Sequence, residues 1–151
     1  MKRLTHVDQH GKARMVDVSA KPIQLREAVA RGAIFLQRKT LALIAANQIA
    51  KGDALSTARL AGIQAAKRTS ELIPLCHPLN LSHIDVDLRP KRDRIEITAT
   101  AKIAAQTGVE MEALTAVAVT ALTIYDMCKA VDKKMVIGEI KLVSKKKTGA
   151  P

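Results

Sequence analysis

The chain has 151 residues, enough for one domain with its own core, and it is 48% hydrophobic and 26% charged, as globular proteins are. With one Phe, one Tyr and no Trp, the core has to be Ala, Val, Ile and Leu, and single-stranded nucleic acid, whose bases stack on aromatic rings, is disfavoured as a partner. A formal net charge of +11 points to an anionic partner, whether nucleic acid, a nucleotide or another phosphorylated metabolite, two cysteines make no disulfide framework and fit a cytoplasmic compartment, and neither a secretory leader nor an apolar run of membrane-spanning length is evident.

Residues 1–13 are polar and contain Gly11, which reads as a flexible N-terminal segment. His6 and His10 have helical spacing without helical context and are discounted as metal ligands. Residues 14–19, RMVDVS, alternate and predict a short strand that ends at Lys21-Pro22. Two short helices are expected next, over 23–31 and 37–46, separated by Gly32. Asp53 is a candidate N-cap for a longer helix, DALSTARLAGIQAAKRTSEL. Its Ala58, Ala61, Gly62, Ala65 and Ala66 permit close packing. Its Arg59, Lys67 and Arg68 offer cations for phosphate, or simply a solvated basic face.

In IPLCHPLNLSH, Pro74 and Pro78 frame Leu75, Cys76 and His77, so the segment is rigid and non-helical. A histidine held this way is placed to serve a site, although a packed loop residue would look the same. The Cys-His spacing matches no zinc motif, and no metal site is assigned. Residues 82–88 and 94–103 alternate and are joined by the charged turn RPKRD, which predicts a hairpin. Ile95, Ile97, Ala99, Ala101 and Ile103 form the buried face.

The span 108–132, GVEMEALTAVAVTALTIYDMCKAVD, predicts one long amphipathic helix. Glu110 and Glu112 at its start suit the positive end of the helix dipole. Asp126 and Lys129 at its end share one side, which suits an ion pair or a site equally. Residues 135–143 predict a last strand. The long elements run β-α-β-β-α-β, an α+β, ferredoxin-like antiparallel sheet with helices on one face and two short inserted helices near the N-terminus. The boundaries are a segment 1–13, a single domain 14–144 and a basic tail 145–151.

The stretches TARLAGIQAAKRTSELIPLCHPL and GVEMEALTAVAVTALTIYDMCKAVDK resemble the cyclic pyranopterin monophosphate synthase family of molybdenum-cofactor biosynthesis. LTHVDQHGKARMVDVSAKP and MVIGEIKLVSKK resemble it too, so the likeness runs from Leu4 to Lys145. The ending KKKTGAP departs from the family's Gly/Ser-rich basic tail. The resemblance implies a homohexamer built as a trimer of dimers and a substrate, 3′,8-cyclo-7,8-dihydro-GTP, supplied by a radical enzyme. It implies cyclic pyranopterin monophosphate and diphosphate as products. By the same resemblance Asp126 is the catalytic acid/base and Lys129 its partner. Leu75, Cys76, His77, Met111 and Glu112 match substrate-binding segments, and Lys51, Lys67 and Arg26 match basic pocket positions. No cofactor is evident, and a divalent ion would enter on the triphosphate.

Two readings of other classes compete. A small nucleic-acid-binding module of the same topology needs exposed aromatics on its central strands, and LSHIDVDL and RIEITATAKI have none. A regulatory nucleotide-binding protein would keep the basic pocket but gain nothing from Asp126 and Lys129.

Overall fold

The computed structural model describes residues 5–149. Four strands, β1 (Gln24–Phe35), β2 (His83–Pro90), β3 (Arg94–Ala105) and β4 (Val136–Thr148), form one antiparallel sheet in the order β2-β3-β1-β4. Four helices, α1 (Arg38–Ala45), α2 (Ala54–Lys67), α3 (Thr69–Leu72) and α4 (Glu110–Cys128), pack on it. This is the expected α+β, ferredoxin-like arrangement.

The hairpin and α4 fall where alternation and helical spacing place them. Ile95, Ile97, Ala99, Ala101 and Ile103 are all buried beneath the helices, while Glu96, Thr98, Thr100 and Lys102 face the other way. Asp53 caps α2, its carboxylate accepting from the Ser56 N–H at 3.0 Å. The α4 helix has 19 residues and is apolar enough to cross a membrane by length and composition, contrary to the reading of the sequence; its apolar surface is spent in the core, where Ala113, Ala116, Val117, Ala121 and Ile124 are fully buried.

The N-terminal third differs from expectation. Residues 14–19 form no strand, and Met15 to Val18 instead run irregularly over the surface. Residues 23–31, expected as the first inserted helix, belong to the central strand β1, which is bonded to β3 on one side and β4 on the other. Twelve cross-strand partners on β3 outweigh the helical preference of Gln, Leu, Arg, Glu and Ala in this stretch. Gly32 therefore separates nothing: it lies inside β1, where a Cβ would come within 2.7 Å of Val117 Cγ1 on α4. Only the second inserted helix forms, as α1. The last strand runs on past 143 to Thr148, so Lys145, Lys146 and Lys147, expected in a tail, pair with Ala28, Glu27 and Arg26.

The helices α2 and α4 run in opposite directions. Lys51, just before α2, meets Asp126 near the end of α4, whereas the chain beyond α3 returns to the start of α4. Small residues set their separation. A Cβ on Gly62 would overlap the Thr120 hydroxyl and come within 3.0 Å of the Ala116 carbonyl oxygen, which is backbone and cannot swing away. We therefore expect Gly62→Ala to force α2 off α4 and cost about 1–3 kcal/mol of unfolding free energy, measured by urea denaturation. Unchanged stability would mean that the helices are not held at this contact.

Candidate active site

The residues singled out in the sequence fall into two groups at opposite ends of α4. The first gathers where the 75–77 segment meets the start of the helix. Leu75, Cys76, His77, Met111 and Glu112 line one cavity of roughly 360 Å³, together with Val16, Val18, Lys21 and Gly108. Prolines on both sides explain why the 75–77 segment can reach this point without helical or strand partners. The His77 ring is anchored at 2.8 Å on the Val16 carbonyl, which accepts from Nε2–H and so fixes that nitrogen as the protonated one. The irregular 15–18 stretch thereby becomes a wall of the cavity.

Glu112 is only 4% exposed. Burial raises its carboxyl pKa, and the neighbouring charge of Glu110 raises it further, so this group holds a proton more readily than a surface glutamate. Burial also raises the Cys76 thiol, helped by the Glu112 charge. Glu112 and Cys76 are thus both shifted toward their neutral forms.

The second group is the reverse. Asp126, one helical turn before Lys129, accepts from Lys129 Nζ at 2.7 Å and from Lys51 Nζ at 2.6 Å. Lys51 comes from the loop between α1 and α2, so the pair of cations is assembled from two elements. The hydrogen bond from Lys129, then that from Lys51, pulls the Asp126 carboxyl down from 3.8 to about 2. Asp126 in turn raises Lys129. The cluster is open to solvent, with Asp126 53% exposed, and so can be reached and rearranged by an anionic ligand.

The remaining two predicted residues join neither group. Lys67 ends α2 as an exposed side chain, where its charge complements the helix dipole. Arg26 is partly buried: its Nε donates to the Ala105 carbonyl and its Nη2 to the Gln106 carbonyl, both at 3.1 Å, so it ties down the end of β3. Its guanidinium also lines a second, basic cavity with Lys145, Lys146 and Lys147, which shares Gly108 and Glu110 with the first. Lys145 Nζ lies 3.1 Å from Glu110. These lysines escaped the sequence reading because a run of lysines looks like a solvated tail. Among the described residues, no three His, Cys, Asp or Glu side chains converge as a metal site.

Comparison with known proteins places the chain among named relatives. The profile of the MoaC family matches residues 15–149. A cyclic pyranopterin monophosphate synthase of Parvibaculum lavamentivorans is 59% identical over 146 residues, covering 95% of this chain and 91% of that protein. Proteins of the same name from Roseiflexus castenholzii (58% identical, 96% of this chain, 93% of the relative) and Chloroflexus aurantiacus (60% identical, 95% and 89%) are similarly close.

Glu112 and Cys76 line the same cavity, and the Glu112 charge acts on the Cys76 thiol. In Glu112→Gln the like charge is gone while burial remains, so the Cys76 thiol should fall part of the way back and carry more thiolate at neutral pH. Alkylation of Cys76 by iodoacetamide, followed by mass spectrometry with buried Cys128 as internal reference, should speed up accordingly. An unchanged rate would show that the Glu112 charge does not reach Cys76.

Proposed function

The chain belongs to the MoaC family, and on that premise we propose that it converts 3′,8-cyclo-7,8-dihydro-GTP to cyclic pyranopterin monophosphate and diphosphate, as a lyase of molybdenum-cofactor biosynthesis. The observation that carries the reading is the near-complete alignment, at 58–60% identity, with synthases of that name. The geometry supplies groups suited to the chemistry. The substrate's purine-derived ring must open and be rebuilt as a pterin, which needs proton transfers. A cyclic phosphate must close while diphosphate leaves, which needs cations.

Glu112 and Asp126 are two carboxylates whose surroundings push their pKa values apart, as acid/base assignments require. Buried Glu112 is the group that holds and gives a proton. Asp126 is ionised, and at about 2 it is a weak base while both lysines grip it. A triphosphate that draws Lys51 away removes one of the two hydrogen bonds and strengthens Asp126 as a base as substrate binds. Lys129 then holds the carboxylate in place and balances its charge. Leu75, Cys76, His77 and Met111 shape the binding cavity. Lys51 and the Arg26–Lys145 pocket receive phosphate oxygens, and Lys67 adds to the long-range field. A divalent ion, where one takes part, arrives on the triphosphate rather than in a protein cage.

Glu112 and Asp126 are fourteen residues apart on one unbroken helix, about 21 Å along its axis. One reacting centre reaches both only if a two-fold axis sets the start of one protomer's α4 beside the end of its partner's. The working unit is therefore a dimer with two composite sites, and the homohexamer is a trimer of such dimers in the cytoplasm. Strands β2 and β3 carry no Phe, Tyr or Trp, and the one aromatic on β1, Phe35, is covered by the Arg94 guanidinium at 5.7 Å, so the nucleic-acid reading lacks its stacking platform.

Incubation with the cyclised GTP intermediate should release diphosphate and yield a pterin that fluoresces after oxidation. Asp126→Asn keeps shape but loses proton-accepting capacity, and turnover should drop by about a hundredfold or more with fold and assembly intact. Near-normal turnover in the folded variant would leave Asp126 as an ion-pair partner only.

A further inference from the structure

Asp132 is the one buried carboxylate among the described residues that the chemistry above does not use. It lies six residues past Asp126 and three past Lys129, is 1% exposed, and has its own N–H bonded to the Cys128 carbonyl at 3.0 Å. Four donors converge on it. The Gln37 backbone N–H (2.8 Å) and the Thr40 hydroxyl (3.0 Å) donate to Oδ2; the Lys134 N–H (3.0 Å) and Gln37 Nε2 (3.2 Å) donate to Oδ1. Gln37 is the N-cap of α1 and supplies no side-chain cap of its own, so Asp132 caps α1 from ninety-five residues away. Burial alone would raise this carboxyl, but the hydrogen bonds outweigh it and hold it below its ordinary value.

From α1 the chain reaches Lys51 by a tightly bonded turn. Gln48 N–H donates to the Leu43 carbonyl at 2.8 Å, Gly52 N–H to the Ile49 carbonyl at 2.9 Å, and Ile49 is buried. We propose that Asp132 is a positioning residue: it locks the end of α4, which carries Asp126 and Lys129, to the start of α1, which sets the loop carrying Lys51, so that both lysines meet one carboxylate. The proposal rests on the catalytic reading of Asp126 only for its effect on turnover.

Asp132→Asn keeps the shape but replaces one acceptor oxygen by a donor, leaving the Gln37 or Lys134 pair unmatched. Lys51 and Lys129 are the charged groups facing Asp126, with Tyr125 beside Lys129. The readout is the Asp126 side-chain carboxyl shift by carbon NMR of Asp-labelled full-length protein between pH 3 and 6, with the amide spectrum reporting the fold. In the wild type Asp126 stays ionised across that range; in Asp132→Asn its titration should move up toward 3.8. The kcat should fall about tenfold to a hundredfold, the scale of a misplaced catalytic group. Thr40→Val, which removes one donor, should shift the same carboxyl in the same direction and decides the matter if Asp132→Asn does not fold. Should Asp126→Asn prove active while Asp132→Asn moves the Asp126 carboxyl, the positioning role stands and the catalytic reading fails. A folded variant with the Asp126 titration and kcat of the wild type overturns the proposal.

Discussion

The packing of α4 against the sheet fixes how far apart the two charged ends of the molecule lie. Its buried side, Ala113, Ala116, Val117, Ala121 and Ile124, is made of residues small enough to bring the helix close over Ala28, Ala30 and Gly32 of β1, and it runs without a break from Glu110 to Cys128. A close-packed helix of this kind does not bend to bring its ends together. Everything the chain offers for chemistry is therefore sorted to one end or the other: a cavity with a buried glutamate where α4 begins, and an open carboxylate between two lysines where it ends. The separation follows from packing, and the proposal of a site shared between two subunits follows from the separation.

The two ends differ in their electrostatics for physical reasons that can be named. At the start of α4, desolvation raises Glu112 and Cys76, and Pro-framed backbone together with the Val16 carbonyl keeps His77 in one orientation. At the far end, hydrogen bonds from Lys129 and Lys51 outweigh a smaller desolvation of Asp126 and lower it. Between the two, the basic surplus is not evenly spread: Arg26 and Lys145 to Lys147 border the cavity through the pairing of β4 with β1. In the proposed dimer a bound polyanion would meet cations from both partners, and an exchange of Lys51 between Asp126 and phosphate would couple binding to basicity.

Much of this was legible in the sequence where a single physical cause governs an element. Alternation over Ile95 to Ile103 reported one buried face; Asp53 before a small-residue run reported a capped helix; the apolar period of α4 reported the core helix. The stretch Gln24–Phe35 was not legible, because its state is set by partners on both sides rather than by its own helical composition. Val16 and Val18 alternate like a strand but cover a cavity instead, and the lysine run at the end looks like a tail until Leu25 to Ala28 is seen beside it. The proposed site residues were picked out through long motifs shared with a family; spacing alone left Asp126 and Lys129 open between an ion pair and a site. Asp132 carried no local signal, since its partners Gln37 and Thr40 are more than ninety residues distant.

The central claim, a site shared between protomers, is tested most directly by subunit exchange. Glu112→Ala and Asp126→Ala are each inactive by this account. In a mixed dimer one site carries both defects and the other is intact, so random one-to-one mixing should restore about a quarter of wild-type turnover. Verified mixed oligomers of folded parents that remain inactive would contradict the account and place the reacting groups within a single chain.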